Sequence, residues 1–108
     1  MKTGPTVAAI LAATTAACAA DARPPRNHVV EIRQFSFAPD TIDAMAGDTI
    51  RWINRDPVPH TATAEDTSWD SGRLEADGAW VMVAEEGSVV KYICSYHPNM
   101  TGVLRLRK

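Results

Sequence analysis

From about position 28 onward, short runs of alternating bulky apolar and polar side chains recur, and turn-forming residues separate them. Successive side chains of a strand point to opposite faces, so Ile50 and Trp52 in Ile50-Arg51-Trp52-Ile53-Asn54 share one face, and Val90, Tyr92 and Cys94 share another. Leu104 and Leu106 likewise point inward while Arg105 and Arg107 meet water. The pattern predicts strands over 28–35, 41–44, 48–54, 60–65, 79–84, 88–94 and 102–107, with Trp52 and Tyr92 in the core. Ala38-Pro39-Asp40, Ala46-Gly47-Asp48, Ala76-Asp77-Gly78 and Glu85-Glu86-Gly87 punctuate them as turns. Many short strands at this spacing point to an all-β sandwich or barrel of about seven or eight strands. The segment 66–77 carries no readable period, and any helical turn is expected there.

The first residues follow another pattern. Met1-Lys2 gives a positive start, 7–17 is apolar and alanine-rich, and small residues crowd 16–22, which is the layout of a secretory signal peptide. Its apolar part is shorter than the roughly 20 residues that span a bilayer, so cleavage near 17–22 is expected rather than anchoring. Candidate sites are Ala17-Cys18-Ala19 and Ala20-Asp21-Ala22, and a lipoprotein-type site at Cys18 is the minority alternative, with Thr15 where an aliphatic residue is usual. Residues 1–22 are thus expected to be the export segment, 23–27 an extended lead-in stiffened by Pro24-Pro25, and 28–108 the folded domain. A chain of 108 residues has room for one such domain.

Of the 11 basic and 13 acidic residues, loss of Lys2 alone leaves 10 against 13, a net of −3, and cleavage after Ala22 takes Asp21 as well and leaves 10 against 12, a net of −2. That balance lacks the clustered basic surface that phosphate backbones require, so nucleic acid is not an expected partner. Export also changes the meaning of the two cysteines. With Cys18 removed or lipidated, Cys94 is a lone thiol sent to an oxidising compartment, where a lone thiol usually has a task. The competing reading is a disulfide between Cys18 and Cys94.

Cys94-Ser95-Tyr96-His97-Pro98-Asn99-Met100 is a C-x-x-H-x-x-M run at the end of a predicted strand. One Cys, two His and a weak axial Met form a donor set suited to copper. His60, at the start of a predicted strand just after Arg55-Asp56-Pro57-Val58-Pro59, is placed to supply the second imidazole. Each residue has a plainer reading: His60 as a loop histidine, Met100 as packing, Cys94 as a small buried hydrophobe and His97 as a turn residue. The four together at this spacing make those readings jointly poor. His28 precedes the first strand with no partner residue in view, and is expected to be exposed.

On these residues the chain from about position 28 resembles the cupredoxins, and the short ligand loop, with Pro after His, is most similar to the amicyanin type. The resemblance implies a Greek-key β-sandwich holding one type 1 copper that cycles between Cu(I) and Cu(II), with His60, Cys94 and His97 equatorial and Met100 axial. It implies exchange of single electrons with redox proteins, such as a c-type cytochrome or a periplasmic dehydrogenase, while the export segment implies a periplasmic protein without a membrane span in its mature form, expected to be a monomer. Thr61, following the first histidine, stands where the family often has Asn. Pro98 has no N–H to offer the thiolate, which leaves the sulfur more charge for a metal. The edge of His97 is the expected electron exit, with Pro57, Val58, Pro59, Pro98 and Met100 around it as a docking surface, or simply as turn residues.

Four protein donors leave no obvious room for a substrate, and no nucleophile-base pair is in view, so an enzyme is not expected. The same donors would also serve a module that stores or delivers copper as Cu(I), which a reversible one-electron potential would distinguish from a carrier. A metal-free interaction domain is the third possibility, and would gain weight if Cys94 proved disulfide-bonded.

Overall fold

The computed structural model describes residues 23–85 and 89–107; the expected export segment 1–22, with Cys18 and both cleavage sites, lies outside them, as do residues 86–88. Among the described residues there are eight strands and no helix: β1 (Asn27–Arg33), β2 (Ser36–Ala38), β3 (Thr41–Met45), β4 (Thr49–Asn54), β5 (Thr63–Ala64), β6 (Ala79–Val83), β7 (Val89–Cys94) and β8 (His97–Arg107). They form two mixed four-stranded sheets, in the orders β2-β1-β4-β6 and β3-β8-β7-β5. β1 runs parallel to β4 and β3 parallel to β8, while the remaining neighbours pair antiparallel.

The alternation read from the sequence sets the core. Val30, Ile32, Ile50 and Trp52 from one sheet meet Ile42, Ala44, Tyr92, Cys94 and Leu104 from the other, and all are buried. Trp52 and Tyr92 are both fully buried, with ring centroids 5.6 Å apart and near-perpendicular planes. Trp69 and Trp80 cover Trp52 at 5.3 and 5.5 Å. Gly102 faces Tyr92 across β7 and β8, and its missing Cβ is what admits the phenol ring.

Three segments differ from expectation. The predicted strand 28–35 ends at Arg33 and turns at once through Gln34 and Phe35, both at positive φ (51° and 58°), into β2, where Phe37 is buried. A two-residue hairpin turn with both central residues left-handed matches the twist of the flanking strands, but it normally takes Asn-Gly. The predicted strand 60–65 shrinks to β5, because the His60 backbone exchanges hydrogen bonds with Leu74 instead (3.1 and 2.8 Å). The segment 66–77 therefore lies as an extended flap bridged at His60–Leu74 and Thr63–Asp70, with no helical turn. Finally, β8 starts at His97, five residues early, because Cys94 pairs with His97 across the Ser95-Tyr96 turn.

The two ends of β4 are built differently. At its start the buried Asp48 carboxylate accepts from Arg23 Nη1 and Nη2 (3.0 and 2.8 Å), His28 Nε2 (2.8 Å) and the N–H groups of Arg26 and Met45 (3.0 Å each). Hydrogen bonds from Arg23 chiefly hold this carboxyl far below the ordinary carboxylate range, against the cost of burial. His28 is thus not the solitary exposed histidine expected: its side chain is 19% exposed and paired. The far end of β4, at Asn54, lies beside the β1–β2 turn and the Cys94–His97 hairpin.

Candidate metal centre

The Cys94–His97 hairpin places two donors at the sandwich end, and the turn after β4 carries a third toward them. Asn54 organises that turn, since its Nδ2 donates to the carbonyls of Val58 and Leu74 (2.8 and 2.9 Å) and its Oδ1 accepts from the Asp56 N–H (2.9 Å). The chain then rises through Pro57-Val58-Pro59 to His60, which is fully buried. His60 Nδ1 and His97 Nδ1 each lie 3.7 Å from Cys94 Sγ, and the ligand atoms of the three residues all lie within 4.8 Å of one another. His60 and Cys94 are buried, and His97 is half-buried.

Asp56, which the spacing of donors did not single out, fixes His60. Its Oδ2 accepts from His60 Nε2 at 2.8 Å and from the Phe35 N–H at 2.9 Å, while Oδ1 accepts from the Gln34 N–H at 2.6 Å. Burial alone would raise the Asp56 carboxyl, but the Phe35, Gln34 and His60 bonds together hold it below the ordinary range. An ionised carboxylate only accepts, so His60 Nε2 is the donor to Asp56 and Nδ1 is the nitrogen that faces Cys94. The same bonds hold Gln34 and Phe35 in a backbone region that costs a bulky residue about 1–3 kcal/mol. Phe35, half exposed, stands in T-shaped contact with both imidazoles, with centroids 5.2 Å from His60 and 4.9 Å from His97. The signal that could have revealed Asp56 was its place four residues before His60 in a proline-bounded turn. For Phe35 no comparable signal exists.

Thr61 closes the other side. Its N–H donates to Cys94 Sγ (3.3 Å), and its Oγ1 accepts from the Ser95 N–H (2.8 Å), so a threonine bridges the histidine segment to the cysteine hairpin where the family often has Asn. Met100 is buried on β8, three residues past His97, which removes it from the expected docking rim. Pro57, Val58 and Pro98 are exposed as expected, and Phe35 and Tyr96 join them.

A cysteine sulfur with the Nδ1 atoms of two imidazoles converging on it suits a soft or borderline metal such as copper. No family model matches the chain. In sequence it is 25% identical over 79 residues to amicyanin from Paracoccus denitrificans and 26% identical over 79 residues to amicyanin from Paracoccus versutus. Each alignment covers 68% of this chain, which spans 60% of the length of these curated relatives. In structure it superposes on a purple cupredoxin from Nitrosopumilus maritimus with a TM-score of 0.68 at 26% identity, covering 73% of this chain and 98% of that one. The chain has the cupredoxin fold. Its amicyanin-like similarity extends to structure, because a Cu(I) form of an amicyanin variant superposes with a TM-score of 0.70 at 23% identity, over 75% of this chain and 82% of that one. A copper-containing nitrite reductase from Thermus scotoductus matches with a TM-score of 0.72 at 22% identity, but over only 23% of its own length. The parallel β1–β4 pair brings the β4 end and the β1–β2 turn to one pole, where Thr61 ties the turn after β4 to the hairpin.

Proposed function

We propose that this chain is a mononuclear blue-copper electron carrier in which His60 Nδ1, Cys94 Sγ and His97 Nδ1 are the equatorial donors and Met100 the axial one. The observation that carries the reading is the pair of Nδ1 atoms, each 3.7 Å from one buried thiol sulfur. Copper, when bound, would supply a one-electron couple between Cu(I) and Cu(II). The chain's own residues do the rest. The two sheets, the Asn54-organised turn and the Thr61 bridge hold the donors in place before metal arrives, so a change of oxidation state needs little protein movement. One N–H, from Thr61, reaches the sulfur, and Pro98 withholds another, which leaves the thiolate electron-rich. The half-buried His97 is the electron exit. Around it Phe35, Pro57, Val58, Tyr96 and Pro98 form an apolar rim for redox proteins, a c-type cytochrome or a periplasmic dehydrogenase among them.

The proposal extends to a periplasmic monomer with residues 1–22 as signal, and to a carrier rather than an enzyme. Among the described residues no helix is long and apolar enough to cross a membrane. Storage or delivery of copper would use the same donors, but the burial of His60 and Cys94 favours retention over hand-off. The test is the visible spectrum and voltammogram of the copper-loaded protein. An intense thiolate-to-copper band that Cys94→Ser abolishes, together with a reversible one-electron wave, is expected. One equivalent of bound copper with no such band would refute the assignment, and a band without a reversible wave would favour storage.

A further inference from the structure

The Gln34-Phe35 turn belongs to no donor-bearing segment, yet it touches both histidines. Its two N–H groups and the His60 ring all end on the single carboxylate of Asp56, with Oδ2 shared between the Phe35 N–H and His60 Nε2. The Phe35 ring it presents is perpendicular to His60 (90°) and nearly so to His97 (86°), and the imidazoles themselves are 5.1 Å apart. If Asp56 served only the turn, two backbone bonds would suffice. If it served only His60, the turn would not need two left-handed residues. Both are tied to one group.

We propose that Asp56 is a positioning residue for both imidazoles: it orients His60 directly and His97 through Phe35, making the β1–β2 turn a working part of the metal centre. This rests on the copper reading for its consequence at the metal, but not for the coupling itself, which is a property of the protein without metal. Loss of the carboxylate frees His60 Nε2 from its acceptor and releases the turn. The Phe35 ring then no longer fixes the half-buried His97, although Asp56 is not a hydrogen-bond partner of that imidazole. Partners that orient metal-ligating histidines typically change metal affinity ten- to a hundredfold.

The experiment compares the wild type, Asp56→Asn, Phe35→Ala and the double variant. In metal-free protein, Asp56→Asn is expected to strip the Gln34 and Phe35 amides of exchange protection and to shift the ring resonances of both His60 and His97. Phe35→Ala is expected to shift both rings while leaving the Gln34 amide protected. Titration with Cu(I) against a chromophoric chelator is expected to show a ten- to hundredfold weaker site in Asp56→Asn. The double variant should lose less than the product of the single losses, because the two residues act through one route. The proposal is overturned by an Asp56→Asn protein that binds copper within twofold of the wild type, or by one whose His97 resonances stay in place. Should Asp56→Asn not fold, Phe35→Ala decides, and unmoved histidine rings there overturn the proposal. A wild type that takes up no copper would sink the functional reading alone, since the metal-free spectra still report the coupling.

Discussion

Adding one methyl group at position 102 should cost this sandwich far more than a surface Gly→Ala change. A Cβ on Gly102 would overlap Tyr92 Cζ and stand 2.5 Å from Oη and 2.6 Å from Cε1, whereas carbon contacts settle at about 3.5–4.0 Å. The ring has nowhere to retreat: Phe37 lies 4.6 Å from it, Trp52 and Trp69 5.6 Å each, and Tyr92 is fully buried. Nor can the backbone yield, because β8 is paired on both sides, to β7 and to β3. Overpacking of this kind costs about 1–3 kcal/mol, and alanine's better fit to a strand returns only about 0.5–1. With both escape routes blocked, a net loss of about 2 kcal/mol is expected, equivalent to roughly 8–16 °C in Tm for a domain of this size. Urea unfolding followed by tryptophan fluorescence measures it. In a Tyr92→Leu background the same substitution should cost less than half as much, because the opposing ring is gone. A single Gly102→Ala variant within 0.5 kcal/mol of the wild type would refute the steric argument.

Other consequences follow from buried polar groups and from the axial position. Among the described residues the Tyr92 phenol has no hydrogen-bond partner of sound geometry, so Tyr92→Phe should leave stability unchanged or raise it by up to about 1 kcal/mol in the same urea assay. Burial pushes the Tyr92 pKa up to about 12, against an opposing contribution from the Trp52 indole. The unfolded chain releases this proton near pH 10 and the folded one does not, so stability should fall as pH rises from about 10 to 12, and Tyr92→Phe should flatten that fall. Asp48, held below its unfolded value, contributes stability above about pH 4 that is lost as pH drops further. Asp48→Asn should therefore cost about 3 kcal/mol at pH 7 and show a shallower acid limb in pH-dependent unfolding. Met100→Leu should keep copper bound while raising the potential, because an apolar neighbour supports Cu(II) less than a thioether does. An unchanged voltammogram would count against Met100 as the axial donor.

Most of the sandwich was legible because period-two alternation is a local property. Ile50/Trp52, Tyr92/Cys94 and Leu104 declared their faces within a few residues, and the structure buries them all. The three convergent donors were legible for a related reason: Cys94 and His97 are adjacent in one hairpin, and His60 follows a proline-stiffened turn. What failed depended on pairing between distant segments. His60 and its neighbours looked like a strand, but their backbone partner is Leu74, fourteen residues on, in a stretch with no period of its own. The Gln34-Phe35 turn was hidden inside a predicted strand, since its left-handed backbone is sustained by a carboxylate more than twenty residues away rather than by Asn-Gly. His28 was misread as exposed for the same reason, because Asp48 is twenty residues distant.

The last two of these misreadings share one architectural cause. β1 and β4 are parallel neighbours, which cannot be joined by a tight turn, and here side chains secure both of their ends. Asp48, just before β4, accepts from the Arg26 N–H and His28 at the start of β1; Asp56, just after β4, accepts from Gln34 and Phe35 at its end. Each carboxylate satisfies backbone donors that the ladder leaves free, and each is buried, where an unsatisfied donor costs about 1–3 kcal/mol. At the lower pole the remaining acceptor capacity goes to Arg23 and the lead-in. At the upper pole it goes to His60 Nε2. The same strand-clamping device thus becomes, at one end only, the group that fixes which nitrogen of His60 faces the thiol.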